Sequence, residues 1–162
     1  MASSSGASSS GATSSGATTR AVTFGELDAR TAHDVFRLRQ QVFVVEQGDP
    51  YDDLDGRDTE PGTVHVLLEQ DGRLVGVARV LDEGEHRRIG RVALLPEARG
   101  RGLSGPLMDA CLAACGAGPV VLAAQTPLAG WYASYGFEVT GPEFLDGSIP
   151  HLPMRRSGRS ST

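Results

Sequence analysis

The sequence predicts a mixed α/β domain in which helices pack on a β-sheet, and three observations support this class. Apolar residues follow strand and helix periodicities in the order β-α-β-β-β-α-β-α-β-β along the chain. The dipeptide Asp71-Gly72 separates two β-rich runs, which predicts an antiparallel hairpin. A strand also runs into a glycine-rich turn at 99–104, and a helix follows that turn. With 162 residues and 40% hydrophobic content, the chain supports one core rather than two.

Both ends of the chain are predicted to lie outside this domain, which spans residues 20–155. After the initial Met, residues 2–19 are Ser, Gly, Ala and Thr only, and such a segment buries too little surface to offset the entropy of ordering it. We expect a disordered tail over 1–19 and a second flexible tail over 156–162. The chain shows neither a secretory signal nor a stretch apolar enough to span a bilayer. We therefore expect a cytoplasmic protein with no membrane partner.

The N-terminal half of the domain combines three predicted strands, a helix and a long loop. Apolar residues recur at helical spacing over 27–42. Asp28, near the start of this segment, is of a residue type that caps helices. The segment 46–60 is acidic and interrupted by Pro and Gly, which is typical of a loop. The predicted elements are a strand at 21–24, a helix at 27–42 and strands at 64–69 and 74–81.

The C-terminal half alternates strands and helices. An apolar strand at 88–95 ends before Pro96, and residues 104–115 carry their apolar side chains on one side of a helix. The unbroken apolar run at 120–123 predicts a buried strand. The remaining predicted elements are a short helix at 128–135 and strands at 137–139 and 149–154.

Composition excludes several classes of protein. A net charge of −5 argues against a nucleic-acid partner. Every basic residue is Arg, so Schiff-base chemistry, a lysine general base and a P-loop lysine are excluded. Cys111 and Cys115 lie four residues apart in one predicted helix, which suits buried small apolar residues better than a metal site. We predict no metal.

The turn at 99–104 has the composition of an anion site. Gly100 and Gly102 permit positive φ angles and close approach of a ligand, while Arg99 and Arg101 add positive charge. The following helix presents its unpaired N–H groups and the positive end of its dipole at the same point. Glycine-rich connections also occur simply to turn the chain, so the turn alone indicates anion binding and no particular ligand.

Two separated motifs carry a resemblance to a known family. Residues 99–104, Arg-Gly-Arg-Gly-Leu-Ser, resemble the acetyl-CoA motif Gln/Arg-x-x-Gly-x-Gly/Ala of the GNAT superfamily of N-acetyltransferases, with Ser104 in place of the final Gly or Ala. Residues 128–137, which contain Trp131-Tyr132 and Tyr135-Gly136-Phe137, resemble the late helix of that superfamily. The segments 39–47, 90–92 and 147–151 are similar to its ElaA-like branch.

The resemblance implies a GNAT-type fold, a cofactor and a reaction. The sheet would be twisted and mostly antiparallel, with splayed central strands flanked by helices, and acetyl-CoA would be the co-substrate. An acetyl group would pass to a primary amine of a small molecule or peptide by direct attack. The implied cofactor-binding residues are Val92, Ala93, Leu94, Arg99, Gly100, Arg101, Gly102, Leu103 and Ser104, with Gln125, just after a buried strand, as a further contact.

Candidates exist for both proton transfers that acetyl transfer to an amine requires. Tyr132 matches the superfamily tyrosine that protonates the departing thiolate. Glu46, His65 and the acidic loop are candidates for removing the amine proton. Glu46 follows a very apolar run that could desolvate its carboxylate and make it more basic, whereas a solvated Glu is equally compatible with its position. His65 opens a strand, where a structural hydrogen bond is the alternative.

The role of the acidic loop and the function of the protein each have more than one interpretation. Residues 46–60 contain seven carboxylates and one Arg, a composition that would attract a cationic amine or simply keep the loop solvated. A noncatalytic acyl-CoA sensor or interaction module, and an acyltransferase similar to acyl-homoserine-lactone synthases, are the rival functions. A homodimer is compatible with the sequence.

Overall fold

The computed structural model describes residues 16–159, which form one twisted eight-stranded sheet with helices on both faces. The strands are β1 (Ala17–Val22), β2 (Val64–Gln70), β3 (Arg73–Asp82), β4 (Arg87–Leu94), β5 (Val120–Gln125), β6 (Glu138–Val139), β7 (Phe144–Asp146) and β8 (Ile149–Arg156). The helices are α1 (Ala29–Arg39), α2 (Ser104–Cys115) and α3 (Ala129–Ala133), and a π-helical segment (Gln40–Glu46) continues α1. The predicted fold class is confirmed.

The strand order shows two antiparallel halves that meet at one short parallel contact. The order is β1-β2-β3-β4-β5-β8-β6, and β7 forms a hairpin with the first residues of β8, on the edge that β6 also pairs with. Strands β4 and β5 pair only where Arg87 faces Val120 and Arg88 faces Val121. Beyond these pairs the two strands diverge, so the sheet is split by a V-shaped gap between the later residues of β4 and β5.

A β-bulge bends β4 on the side of this gap. Val77 of β3 pairs with Ala93 and Arg79 pairs with Gly90, so Arg91 and Val92 together stand opposite a single residue of β3. Arg91 has a φ of 54°, a left-handed conformation that side chains other than glycine seldom adopt. The bulge therefore holds this stretch of β4 in a fixed, strained shape.

The core has two parts, one on each face of the sheet. Alternate residues of β2 point to opposite faces, so Val66 and Leu68 pack with α2 while Leu67 packs with α1. Both sets are fully buried, which explains why β2 shows an apolar run rather than an alternating pattern. The core on the α2 face includes residues from both sides of the gap, such as Val80 and Leu122, whereas the core on the α1 face contains only residues that precede the gap.

Most predicted elements are confirmed, including the hairpin at Asp71-Gly72 and the helix Ser104–Cys115. Asp28 caps α1 as predicted, and its Oδ1 accepts a hydrogen bond from the Thr31 N–H at 2.7 Å. The predicted helix 27–42 is wrong at its end, because α1 stops at Arg39 and changes to the π-helical segment. The strand β7 was not predicted.

Both predicted tail boundaries are also wrong. Strand β1 begins at Ala17, within the predicted N-terminal tail, because its backbone pairs with the edge of β2 regardless of its small side chains. At the other end, β8 continues through Arg156, whose Nε donates to the Tyr135 carbonyl at 2.9 Å. The rest of the predicted tails, residues 1–15 and 160–162, lies outside the described residues. Between residues 16 and 159, no helix is both long enough and apolar enough to cross a membrane.

Candidate active site

A cleft of about 1030 Å³ occupies the gap between β4 and β5. Its walls come from the bulged part of β4, the start of α2, the end of β5, helix α3, the π-helical segment and the β7–β8 hairpin. Nearly all the predicted cofactor-binding residues lie together on these walls: Val92, Ala93, Leu94, Arg99, Gly100, Gly102, Leu103, Ser104 and Gln125. Arg101 does not, because its guanidinium turns away to the Glu97 carbonyl, 3.2 Å from Nη1.

The turn before α2 is open to an anion. Gly100 and Gly102 have φ angles of 70° and 75°, and a Cβ at either position would meet no atom within 4 Å. Helix α2 has no side-chain cap, and its first backbone bond runs from Leu107 N–H to the Leu103 carbonyl. Within residues 16–159, the N–H groups of 100–105 donate to no acceptor. They therefore form an unsatisfied donor cradle at the positive end of the helix dipole.

The gap also exposes the backbone of β4. Because the parallel pairing with β5 ends at Arg88, the following residues of β4 have a partner strand on the β3 side only. Val92, Ala93 and Leu94 line the cleft along this open edge. An extended ligand can add to such an edge through main-chain hydrogen bonds, as a further strand would.

Tyr132 brings a protonated hydroxyl to the cleft. Its ring is 7% exposed and packs edge-on against Trp131 and Phe137, with centroid separations of 4.9 and 6.1 Å. Burial raises the pKa of Tyr132 to about 12, so the hydroxyl is neutral at physiological pH. Among the described residues no hydrogen bond engages this hydroxyl, although the residue lines the cleft. The group is therefore available to donate a proton to a bound ligand.

Glu46 lines the cleft, but its carboxylate is paired with Arg99. The Arg99 Nη1 and Nη2 atoms lie 2.6 and 2.8 Å from the two carboxylate oxygens. Arg99 also donates to the Leu94 carbonyl from Nε and Nη2, at 3.1 and 2.9 Å. Hydrogen bonding to Arg99 lowers the pKa of Glu46 despite some desolvation. The expectation that Glu46 is made more basic by desolvation is therefore wrong.

His65 lies away from the cleft. Its side chain is buried on β2, with Nε2 3.3 Å from the Asp58 carbonyl oxygen and its ring tilted against Phe24. Burial lowers the pKa of His65, which favours the neutral ring. The geometry contradicts its assignment as a base, because the ring contacts Asp58 of the acidic loop and Phe24 and does not line the cleft.

A buried charge network missed by the sequence interpretation holds the acidic loop. Arg39, 1% exposed, donates from Nε to Asp53 at 3.0 Å and from Nη1 to Asp58 at 2.6 Å. Arg79 donates from Nη1 and Nη2 to the two oxygens of Asp55, both at 2.9 Å. Desolvation would raise the pKa values of Asp55 and Asp58, but these arginines outweigh it and lower both. The central carboxylates of the loop are thus neutralised within the protein.

Arg91 extends this network to the bulge of β4. Its Nε lies 2.8 Å from Asp53 Oδ1, its Nη2 lies 3.2 Å from Asp55 Oδ2, and its guanidinium covers the Tyr51 ring at 5.2 Å. The three arginines come from α1, β3 and β4, so their convergence is a property of the tertiary structure. A sequence signal did exist at Arg79, which interrupts the otherwise apolar segment 74–81.

The two cysteines and the other side chains of metal-binding type form no metal site among the described residues. Cys111 and Cys115 are free and buried, and burial raises the pKa of Cys115 to about 11. Their predicted role as small buried apolar residues is confirmed. Across residues 16–159, no three His, Cys, Asp or Glu side chains converge as metal ligands.

The split sheet and the donor cradle agree with what is known of other proteins. An acetyltransferase (GNAT) domain pattern matches residues 26–157. The chain belongs to the GNAT family. This family transfers acyl groups from CoA, so the cleft between β4 and β5 is the candidate site for an acyl-CoA co-substrate.

Individual relatives place the chain in the ElaA-like branch of the GNAT family. A UPF0039 protein of Mycobacterium tuberculosis is 45% identical over 144 residues, which cover 86% of this chain and 92% of that protein. ElaA of Escherichia coli is 36% identical over 138 residues, 81% of this chain and 90% of ElaA. The crystal structure of an acyl-CoA N-acyltransferase from Pseudomonas aeruginosa superposes with a TM-score of 0.82 at 34% identity, covering 87% of this chain and 99% of that one.

Proposed function

We propose that this GNAT protein transfers an acetyl group from acetyl-CoA to a primary amine of a small molecule or peptide. One observation carries the proposal. Residues of the donor cradle of α2, residues of the open edge of β4 and Tyr132 all line the same cleft. An anion site, a strand-like docking edge and a proton donor are the three features that such a transfer needs from the protein.

The residues of the cleft suit acetyl-CoA. The N–H groups of 100–105 supply donors for the pyrophosphate, and the open space at Gly100 and Gly102 allows close approach. The free edge of β4 at Val92 and Leu94 offers main-chain groups to the extended pantetheine arm. Gln125 lies at the end of β5, on the opposite wall. When bound, the thioester supplies the activated acetyl group.

The chemistry assigned to the protein is proton donation and polarisation. The deprotonated amine attacks the carbonyl carbon, a carbon–nitrogen bond forms and the carbon–sulfur bond breaks. Tyr132 gives its proton to the departing sulfur, which avoids release of a thiolate. A main-chain N–H of β4 near Val92–Leu94 polarises the carbonyl oxygen. Water in the open cleft takes the proton that the ammonium group loses before attack and the second proton that the nitrogen loses as the amide forms, and it returns a proton to Tyr132, since Glu46 is held by Arg99 and His65 lies elsewhere.

A thiol-release assay tests this proposal. Acetyl-CoA is offered with a panel of amines, polyamines, aminosugars and peptides, and product masses are checked for a gain of one acetyl group. We expect turnover with at least one amine. CoA binding without turnover on any acceptor would instead support a sensor. Thiol release that requires S-adenosylmethionine would support the reaction of acyl-homoserine-lactone synthases.

A further inference from the structure

Asp49 is a buried carboxylate of the cleft whose charge is balanced by no cation of the described residues. It is 6% exposed and lies in the loop that follows the π-helical segment. Within residues 16–159, no Arg or His lies within ion-pair distance of its oxygens. Because burying an unpaired charge is costly, such a carboxylate calls for a cation from outside the chain.

The other acidic residues that line the cleft differ from Asp49. Glu46 is paired with Arg99, and Asp55 is paired with Arg79. Asp146 has no cationic partner but is exposed on the β7–β8 hairpin, where water solvates its charge. Asp49 alone in the described cleft combines burial with the lack of a counter-ion.

The β7–β8 hairpin holds the Asp49 carboxylate in place. The Ser148 hydroxyl donates to Oδ1 at 3.1 Å, and the Ser148 backbone N–H lies 3.4 Å from Oδ2. Gly147, with a φ of 65°, leaves the space that Oδ2 occupies, since a Cβ there would overlap this oxygen. These neutral donors orient the carboxylate without balancing its charge.

The position of Asp49 also suits recognition of an acceptor. The residue belongs to the N-terminal half of the sheet, whereas Ser148 belongs to the half beyond the gap. Their contact therefore joins the two halves across the gap. His151 of the same hairpin pairs with Gln125 at the end of β5, and both line the cleft.

We infer that Asp49 is the specificity residue for the acceptor, and that it binds the acceptor's primary ammonium group as its counter-ion before proton loss. This inference deepens the proposed function and rests on it. The acceptor class is accordingly a cationic amine, and a neutral hydroxyl compound of the same shape binds less tightly. An ammonium group both donates a hydrogen bond to the buried carboxylate and balances its charge, whereas an alcohol donates a hydrogen bond and leaves the charge unbalanced.

Equilibrium titration with matched probes tests this inference independently of turnover. Benzylamine and benzyl alcohol, and n-butylamine and n-butanol, are titrated into the full chain in the presence of CoA. We expect the wild type to bind each amine roughly tenfold or more tightly than its alcohol. Asp49→Asn should reduce this preference to about twofold, while Asp52→Asn, an exposed acid of the same loop outside the cleft, should retain it.

The outcomes separate this inference from the proposed function. An equal affinity of the wild type for amine and alcohol, or an undiminished preference in Asp49→Asn, would overturn the role of Asp49 even if the enzyme acetylates amines. A preference for amines that depends on Asp49, without any turnover, would support the role and contradict the transferase. Unchanged CoA affinity shows that each variant is folded. If Asp49→Asn fails this control, Asp49→Ser replaces it, since its smaller side chain leaves room for water.

Discussion

The Glu46 carboxylate and the Arg99 guanidinium join the π-helical segment to the glycine-rich turn through two hydrogen bonds of 2.6 and 2.8 Å. The pair lies on the wall of the cleft, where the pyrophosphate of acetyl-CoA is proposed to bind. An incoming phosphate and the Glu46 carboxylate would compete for the same guanidinium. We therefore propose that Glu46 competes for cofactor contacts rather than accepting a proton.

Replacing Glu46 by Gln is expected to strengthen CoA binding. Exposed ion pairs contribute about 0.2–1 kcal/mol to stability. Release of Arg99 from its pair with Glu46 should therefore lower the Kd of CoA by roughly two- to fivefold. Isothermal titration at low salt measures this change. Glu69→Gln, which breaks an exposed pair with Arg20 outside the cleft, is the control and should leave the Kd unchanged. A hundredfold loss of turnover at constant CoA affinity would instead restore Glu46 as the base.

Replacing Tyr132 by Phe is expected to lower turnover roughly ten- to a thousandfold, with CoA affinity nearly intact, because only the proton donor is lost. The pKa of Tyr132 is raised to about 12, so its deprotonation should cause no fall in wild-type rate below pH 10. Steady-state rates with saturating acetyl-CoA measure both effects. Tyr135→Phe removes a hydroxyl near the same helix but outside the cleft lining, and should retain the wild-type rate. Equal rates in Tyr132→Phe and the wild type would remove Tyr132 from the mechanism.

Replacing Gly102 by Val is expected to abolish CoA binding without unfolding the domain. The side chain would enter open space in the donor cradle and block phosphate approach. Gly84→Val is a matched control, because Gly84 has a φ of 87°, equally open surroundings and a position outside the cleft. The backbone strain is therefore similar in both variants, on the order of 1 kcal/mol. If both bind CoA equally well in calorimetric titrations, the pyrophosphate assignment is wrong.

The protein is expected to lose stability below pH about 4.5 through groups such as Glu83. Desolvation would raise the pKa of Glu83, but hydrogen bonds from Arg88, His86 and Arg57 lower it from 4.5 to about 2. A lowered folded-state pKa adds stability above the unfolded value, and that stability is lost as the pH falls through the folded value. Glu83→Gln should thus cost on the order of 2 kcal/mol at pH 7 and much less near pH 2.

Chemical denaturation at pH 7 and at acid pH measures this difference. Glu85→Gln is the matched control, since Glu85 lies in the same turn, is exposed and forms no ion pair among the described residues. It should leave the free energy of unfolding unchanged at both pH values. A constant difference between Glu83→Gln and the wild type across the range would contradict the linkage.

Local sequence patterns predicted those parts of the fold that depend on neighbouring residues. The helix after the turn begins at Ser104 and ends at Cys115 as predicted, and the Asp71-Gly72 hairpin forms in place. The π-helical segment after Arg39 was missed, because its i→i+5 hydrogen bonds leave no local sequence pattern distinct from that of an α-helix. Strand β7 was missed because its residues are exposed and pair only with β8.

The candidate site likewise combines features that local sequence sets with features that contacts between distant segments set. The sequence by itself located the glycine-rich turn and Tyr132, because each is a local motif whose backbone shape or side chain is set at its own position. Only the tertiary structure decided that Arg99 holds Glu46, that His65 is turned away and that Asp49 has no counter-ion within residues 16–159. The physical reason is that the protonation and pairing of a carboxylate depend on charges brought close by packing, and those charges come from distant segments of the chain.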